Sequence, residues 1–212
     1  MGRKGLLNQE ELDFLLEVME TRLPDGLPRH PQFSVDGGEA GNAMLVRLAA
    51  SSELQMTALF RSHKLVFPLQ LVQDEFGKLT LELRPPRIYE QGPTVRQWRL
   101  EPSIPLRLIA ADGSTTELEI AQLSQSSALI RSSERAPEHV KGFIELPSNG
   151  RRVAISAVKV RDVGTQHAAY LLSYDEQEQE DQINSFIFEQ HRKQHPELSI
   201  EEHLSEMGIS AY

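Results

Sequence analysis

Val95-Arg96-Gln97-Trp98-Arg99-Leu100 is the stretch on which the reading of the chain turns. It holds the only tryptophan of the sequence, places an arginine on either side of Gln97-Trp98, and follows Gly92-Pro93, a turn signal. Short apolar segments with a period of two lie before and after it, so it reads as a junction between two β units. An arginine pair beside an aromatic suits a planar or phosphorylated ligand, because guanidinium forks match phosphate oxygens and guanine edges and stack on π faces. The same residues also suit a solvated linker whose Trp98 fills an apolar gap. The residues alone leave both readings open.

Upstream of the junction, the period-two pattern predicts strands at 44–49, 54–60, 65–73 and 78–83. In the last of these Leu79, Leu81 and Leu83 face one way and Thr80 and Glu82 the other, as in a half-buried antiparallel strand. Pro68 cannot donate to a ladder, which predicts an edge or a bulge at that point. Downstream, strands are expected at 104–110, 115–123, 126–132, 142–146, 153–162 and 167–174. Asp112-Gly113 and Asn149-Gly150 mark hairpins of the type I′ kind, whose central residues need positive φ, and Pro147-Ser148 lengthens the second loop. Short strands without βαβ alternation indicate small antiparallel barrels. The fold expected is therefore mainly β, two small antiparallel β-barrels with an N-terminal amphipathic helix and C-terminal helices.

The helices read from capping and stripe. In residues 7–23, Asn8 and Glu11 approximate a capping box, Leu12, Leu15, Leu16 and Met19 form an apolar stripe, and Pro24 with Asp25-Gly26 ends it. Residues 175–195 carry Ile183, Phe186, Ile187 and Gln190 on one side, with acids at the start and His191, Arg192, Lys193 and His195 at the end, complementing the helix dipole. Ser199-Ile200-Glu201-Glu202 caps a last short helix. The division expected is a helix in 1–26, a linker in 27–42 and an N-terminal split barrel in 43–90. A second barrel with its closing helix follows in 91–195, and the short helix in 196–212.

Composition removes whole classes of function. With 212 residues, 39% hydrophobic and 25% charged, the chain suits one large or two small globular domains. No window approaches the roughly 18 apolar residues of a membrane span, and the start lacks a secretory core, so a cytoplasmic protein without membrane insertion is expected. The absence of cysteine excludes disulfides, thiolate catalysis and Cys-ligated zinc. A net charge of −9 disfavours DNA and RNA, whose binding rests on phosphate neutralisation.

Catalytic patterns are missing too. There is no Gly-x-Gly-x-x-Gly, no Gly-x-x-x-x-Gly-Lys and no Gly-x-Ser-x-Gly. The carboxylates lie on helices as solvated charge, His191 and His195 stand four apart without a third ligand, and the other histidines are scattered as surface or edge residues. Neither an enzyme nor a metal site is expected.

Two resemblances sharpen this. The run Pro85-Pro86-Arg87-Ile88-Tyr89-Glu90-Gln91 through Arg99 resembles the junction of YcgR-like flagellar brake proteins, where an N-terminal barrel meets a PilZ domain that binds cyclic di-GMP. The family pattern there is Arg-x-x-x-Arg, followed by Asp/Asn-x-Ser-x-x-Gly. Arg99 matches the second arginine, while Val95 stands at the first and Arg96 one place late. In Gln122-Leu123-Ser124-Gln125-Ser126-Ser127 only Ser124 matches, with Gln122 for the acid or amide and Ser127 for the glycine. The resemblance thus implies a degenerate cyclic di-GMP site made of Arg96, Arg99, Gln122, Ser124 and Ser127. A hydrogen bond to a charged group contributes roughly 1.5–3 kcal/mol. Losing an arginine and the acid together removes about two to four decades of affinity, at about 1.4 kcal/mol per decade. Weak or absent nucleotide binding follows, and a working receptor with a non-standard arginine set is the alternative.

Secondly, Leu7-Asn8-Gln9-Glu10-Glu11-Leu12-Asp13-Phe14-Leu15-Leu16 resembles the N-terminal peptide of flagellar switch proteins, which follows Leu-Ser-Gln-x-Glu-Ile-Asp-x-Leu-Leu. That peptide docks on chemotaxis response regulators or related flagellar partners. The resemblance implies a flagellar or chemotaxis partner, held by Leu12, Asp13, Leu15, Leu16 and Met19. Together the two imply a non-enzymatic adaptor or regulator of bacterial motility.

Overall fold

The computed structural model describes residues 32–34, 38–60, 62–73, 79–147 and 150–195, the first strand, the first turn of the first helix and residue 60 by backbone alone. The expected helices of 1–26 and 196–212 lie outside these residues. The chain divides into two compact units, at Arg96/Gln97 and again at Gln194/His195. The architecture is mainly β: an antiparallel sheet in the first unit, a closed six-stranded antiparallel barrel in the second, and a helix near each end. Among the described residues no helix is long and apolar enough to cross a membrane.

In the first unit, β1 (Gln32–Ser34) and α1 (Gly38–Ser51) precede β2 (Leu54–Phe60), β3 (His63–Gln73), β4 (Leu79–Leu83) and β5 (Arg87–Glu90). The two-residue β6 (Arg96–Gln97) stands where the units divide. The structure corrects two expectations here. The strand expected at 44–49 is the body of α1, and the linker expected at 27–42 contains β1 and the first turn of α1. Met44, Val46 and Leu48, whose alternation suggests a strand, are exposed, at 63%, 46% and 38%. Leu45 and Ala49, one helical turn apart, are half-buried. Ala40, Ala43, Ala49 and Ala50 supply the helix propensity that the alternating aliphatics masked.

Strand β3 is central, which revises the placement of Pro68. On one side β3 pairs with β2, and on the other with β4 over Leu69–Gln73 and with β5 over His63–Val66. Pro68 falls in the gap between those two partners, where Arg84, Pro85 and Pro86 interrupt the opposing chain. Its carbonyl still accepts a 2.8 Å bond from the Arg84 N–H. Prolines on both chains meet at one break in the ladder, so few donors are wasted. Leu65, Phe67 and Leu83 form the core of this sheet.

In the second unit, β7 (Leu106–Ala110), β8 (Thr115–Leu123), β9 (Ser127–Arg131), β10 (His139–Glu145), β11 (Arg152–Val163) and β12 (His167–Ser173) close in the order β10-β11-β12-β9-β8-β7. The interior holds Leu106, Leu108, Ile120, Leu123, Ile130, Ile144 and Tyr170, which alternate with outward residues as the pleat requires. Tyr170 satisfies its hydroxyl by donating to the Pro137 carbonyl at 2.7 Å. The ring closes where β10 meets β7 over Gly142–Ile144. A Cβ at Gly142 would stand 2.0 Å from the Ile109 carbonyl oxygen, so this approach requires glycine.

The first expected hairpin turn is longer than a two-residue type I′ loop. The first runs from Ala111 to Ser114 with Gly113 at φ 87°, and the Asp112 carboxylate accepts from the Ser114 N–H at 2.9 Å and hydroxyl at 2.7 Å. Asp112 thereby makes the local turn with its own side chain. In the second, Gly150 has φ 66° and the Leu146 N–H bonds the Arg151 carbonyl at 2.8 Å.

Helix α2 (Gln177–Gln194) packs against β11 and buries Ile183, Phe186, Ile187 and Phe188. It also buries the polar Asp181, Asn184 and His191, so the acidic run at its start is not wholly a solvated face. Histidines are not all at the surface either: His191 is 0% exposed, and His63, on β3, is buried and lies 4.7 Å from the ring of His195.

Candidate functional site

The site begins where the junction strand enters the second unit. Trp98 and Leu100 are buried, while Arg99 and Glu101 between and after them are exposed, a period of two that the sequence carried. Trp98 is the apolar plug: its ring meets that of His191 edge to face at 4.8 Å. Leu100 pairs with Leu123 at the end of β8, with N–H···O bonds of 2.8 and 2.9 Å in the two directions. Continuing this antiparallel register sets Gln97, Arg99 and Glu101 across from Ser126, Ser124 and Gln122.

Two of those three pairs are hydrogen-bonded. The Gln122 amide donates to Glu101 Oε1 at 2.8 Å, and the Ser126 hydroxyl donates to Gln97 Oε1 at 2.8 Å. Arg99 stands between them, exposed and without a hydrogen bond or ion pair among the described residues. Ser124 is 1% exposed and tied into the β8–β9 turn. Its N–H donates to the Ser127 carbonyl at 2.8 Å, and its hydroxyl lies 2.7 Å from that of Ser127 and 3.3 Å from Gln97 Oε1. The tip is pinned by Tyr174, whose hydroxyl donates to the Gln125 carbonyl at 2.8 Å.

Of the residues expected to hold the nucleotide, Arg99, Gln122, Ser124 and Ser127 therefore lie on two adjoining stretches of the second unit. Arg96 belongs to the first unit, where its Nε donates to Thr94 Oγ1 at 3.3 Å. Leu12, Asp13, Leu15, Leu16 and Met19 lie outside the described residues. Gln97 and Glu101, which no sequence motif marks, flank Arg99 on the candidate surface. Each stands two places from Arg99 on an extended strand, which puts all three on one face.

A cavity of about 430 Å³ opens beside the turn, lined by Gln125, Ser126, Tyr174, Asp175, Glu176 and Glu180 among others. Gln125 Nε2 donates to Glu180 Oε1 at 2.5 Å. Burial, and then the charge of Glu180, push the Tyr174 hydroxyl well above the ordinary tyrosine range. Its acidic lining opposes phosphate.

No family model matches the chain, and no curated protein matches it. Among solved structures, it is similar to the PilZ domain of CeSA from a cellulose-synthesizing bacterium, with 21% identity over 45% of this chain and 99% of that one, at a TM-score of 0.36. Escherichia coli YcgR in complex with c-di-GMP aligns at 14% identity over 90% and 93%, TM-score 0.36. The Bacillus subtilis inhibitor of motility MotI/DgrA aligns at 9% over 62% and 67%, also at 0.36. At such scores these likenesses carry no weight for family or function.

Proposed function

We propose that the chain is a YcgR-like PilZ protein, a non-enzymatic adaptor or regulator of bacterial motility or chemotaxis that acts through protein contacts and binds cyclic di-GMP weakly or not at all. One observation supports the nucleotide part: the polar groups on either side of Arg99 are already bonded to one another. Gln122 is spent on Glu101, and Ser124 on Ser127 and Gln97. A ligand that engaged Gln122 or Ser124 would have to replace these bonds, and a phosphate at Arg99 would meet the carboxylate of Glu101 two places along the strand. Each such bond contributes about 0.5–1.5 kcal/mol net, which the ligand must offset. The partner part rests on the sequence resemblance of residues 7–16, whose leucines and acids suit a groove with a basic rim.

Calorimetric titration with cyclic di-GMP tests the reading. A dissociation constant weaker than about 10 µM, roughly −7 kcal/mol, is expected. A submicromolar constant lost in Arg99→Ala would establish instead a receptor with a non-standard arginine set. A pull-down from a motile bacterial lysate, with and without residues 1–26, tests the partner.

A further inference from the structure

The outer wall of the barrel carries aliphatic side chains where solvent-facing polar residues are the rule. Val158 on β11 and Leu171 on β12 are direct cross-strand partners, 49% and 57% exposed. Val160, 58% exposed, is the extra residue of the bulge between Lys159 and Arg161. The half-buried Ala169 and Leu129 are paired with one another and extend the wall toward β9. The patch borders the Arg99 surface, since Leu171 is paired with Ser127 and Leu129 with Gln122, but Val158 and Val160 are not among that surface's residues.

The charges around the patch are unbalanced. Lys141 on β10 and Arg161 on β11 are exposed and make no ion pair among the described residues. His139 is the β10 partner of Val158 and is also exposed. The nearest acids are already engaged, since Glu138 and Asp162 hold the inward-turned Lys159 at 2.6 and 3.4 Å. Those two carboxylates are themselves exposed, so Lys141 and Arg161 are the cations left over once the pairs with Lys159 are formed.

We propose that this wall docks an acidic amphipathic helix of a partner protein. An apolar stripe of two helical turns spans roughly 11 Å, longer than the roughly 7 Å from Val158 to Val160 along β11, and Ala169 and Leu129 carry the wall further across β12 and β9. Acids on the flanks of such a helix would meet Lys141 and Arg161, and this selects it over a basic or neutral one.

Residues 7–23 of this chain have the required chemistry, with Leu12, Leu15, Leu16 and Met19 flanked by Glu10, Glu11, Asp13, Glu17 and Glu20, so a labelled synthetic peptide of that segment is the probe. It is titrated into the full chain carrying Leu12→Ala with Leu16→Ala, which disables the chain's own copy. Saturable binding is expected, weakened about tenfold or more by Leu171→Glu and by Lys141→Glu with Arg161→Glu, and weakened by salt. Leu171→Ser, an exposed polar change, should also weaken it while the melting temperature stays at the parent value. Absence of binding, or equal binding by all variants, would overturn the proposal. So would association with phosphatidylserine vesicles in place of the peptide, or self-association that Leu171→Glu dissolves without any peptide binding.

Discussion

Trp98 meets His191 edge to face, with ring centroids 4.8 Å apart and planes at 89°, and both side chains are buried. The junction strand is thereby fastened to α2 through the single tryptophan of the chain. Trp98→Ala should cost about 3–5 kcal/mol, the range for a large aromatic removed from a core, and Trp98→Phe markedly less. Urea unfolding followed by circular dichroism checks this. Because the chain has a single tryptophan, its emission should red-shift in the transition of the Gln97–Gln194 unit.

Repair of the nucleotide site should need more than the family motif. Val95→Arg, Gln122→Asp and Ser127→Gly restore the pattern, but the new aspartate would stand against Glu101, to which Gln122 now donates. Like charges at that distance repel. The triple variant should bind cyclic di-GMP weakly, and adding Glu101→Gln should strengthen it about tenfold or more, with a gain larger than the sum of the separate changes. Calorimetry on the folded variants decides, and no gain in the quadruple variant would show the motif alignment to be wrong.

The N-terminal segment yields a different signature. Leu12→Ala with Leu16→Ala should abolish capture of the motility partner, at a cost of several kcal/mol for two anchoring leucines, about 1.5–3 kcal/mol each. The melting temperature should stay nearly unchanged. A large drop in melting temperature without loss of a partner would assign the leucines to a core instead.

Tyr174 predicts an alkaline effect with a definite sign. Burial and Glu180 raise its ionisation above the ordinary value, so the folded chain retains a proton that the unfolded chain releases. The stabilisation is full below about pH 10 and falls as the pH rises toward the folded value. Tyr174→Phe lacks this dependence but also loses the bond to the Gln125 carbonyl. The melting advantage of the wild type over the variant should therefore be constant at neutral pH and shrink above pH 10.

Legibility in the sequence followed the physics of each signal. The barrel strands were readable because each has one buried face, so alternation survives in Leu106, Leu108, Ile120 and Ile144. Helix α1 was misread because it packs by half-buried Leu45 and Ala49 while Met44, Val46 and Leu48 face outward, which reverses the usual meaning of exposed apolar residues. The junction strand was legible as alternation through Trp98, Arg99 and Leu100. The pairings of Gln97 with Ser126 and of Glu101 with Gln122 were not, since they arise from a register fixed by the Leu100–Leu123 bridge. No local pattern announces which distant strand will lie alongside.

Closure of the ring at Gly142 has a bearing on the protein's behaviour at high concentration. A circular sheet has no outermost strand, so the barrel offers no row of unpaired N–H and C=O groups onto which another molecule could add. A side chain at position 142 would wedge β10 from β7, and the parted strands would become two sticky borders at once. The single missing Cβ thus guards against fibre-like association. The first unit has no such protection at β2, which among the described strands pairs with β3 alone.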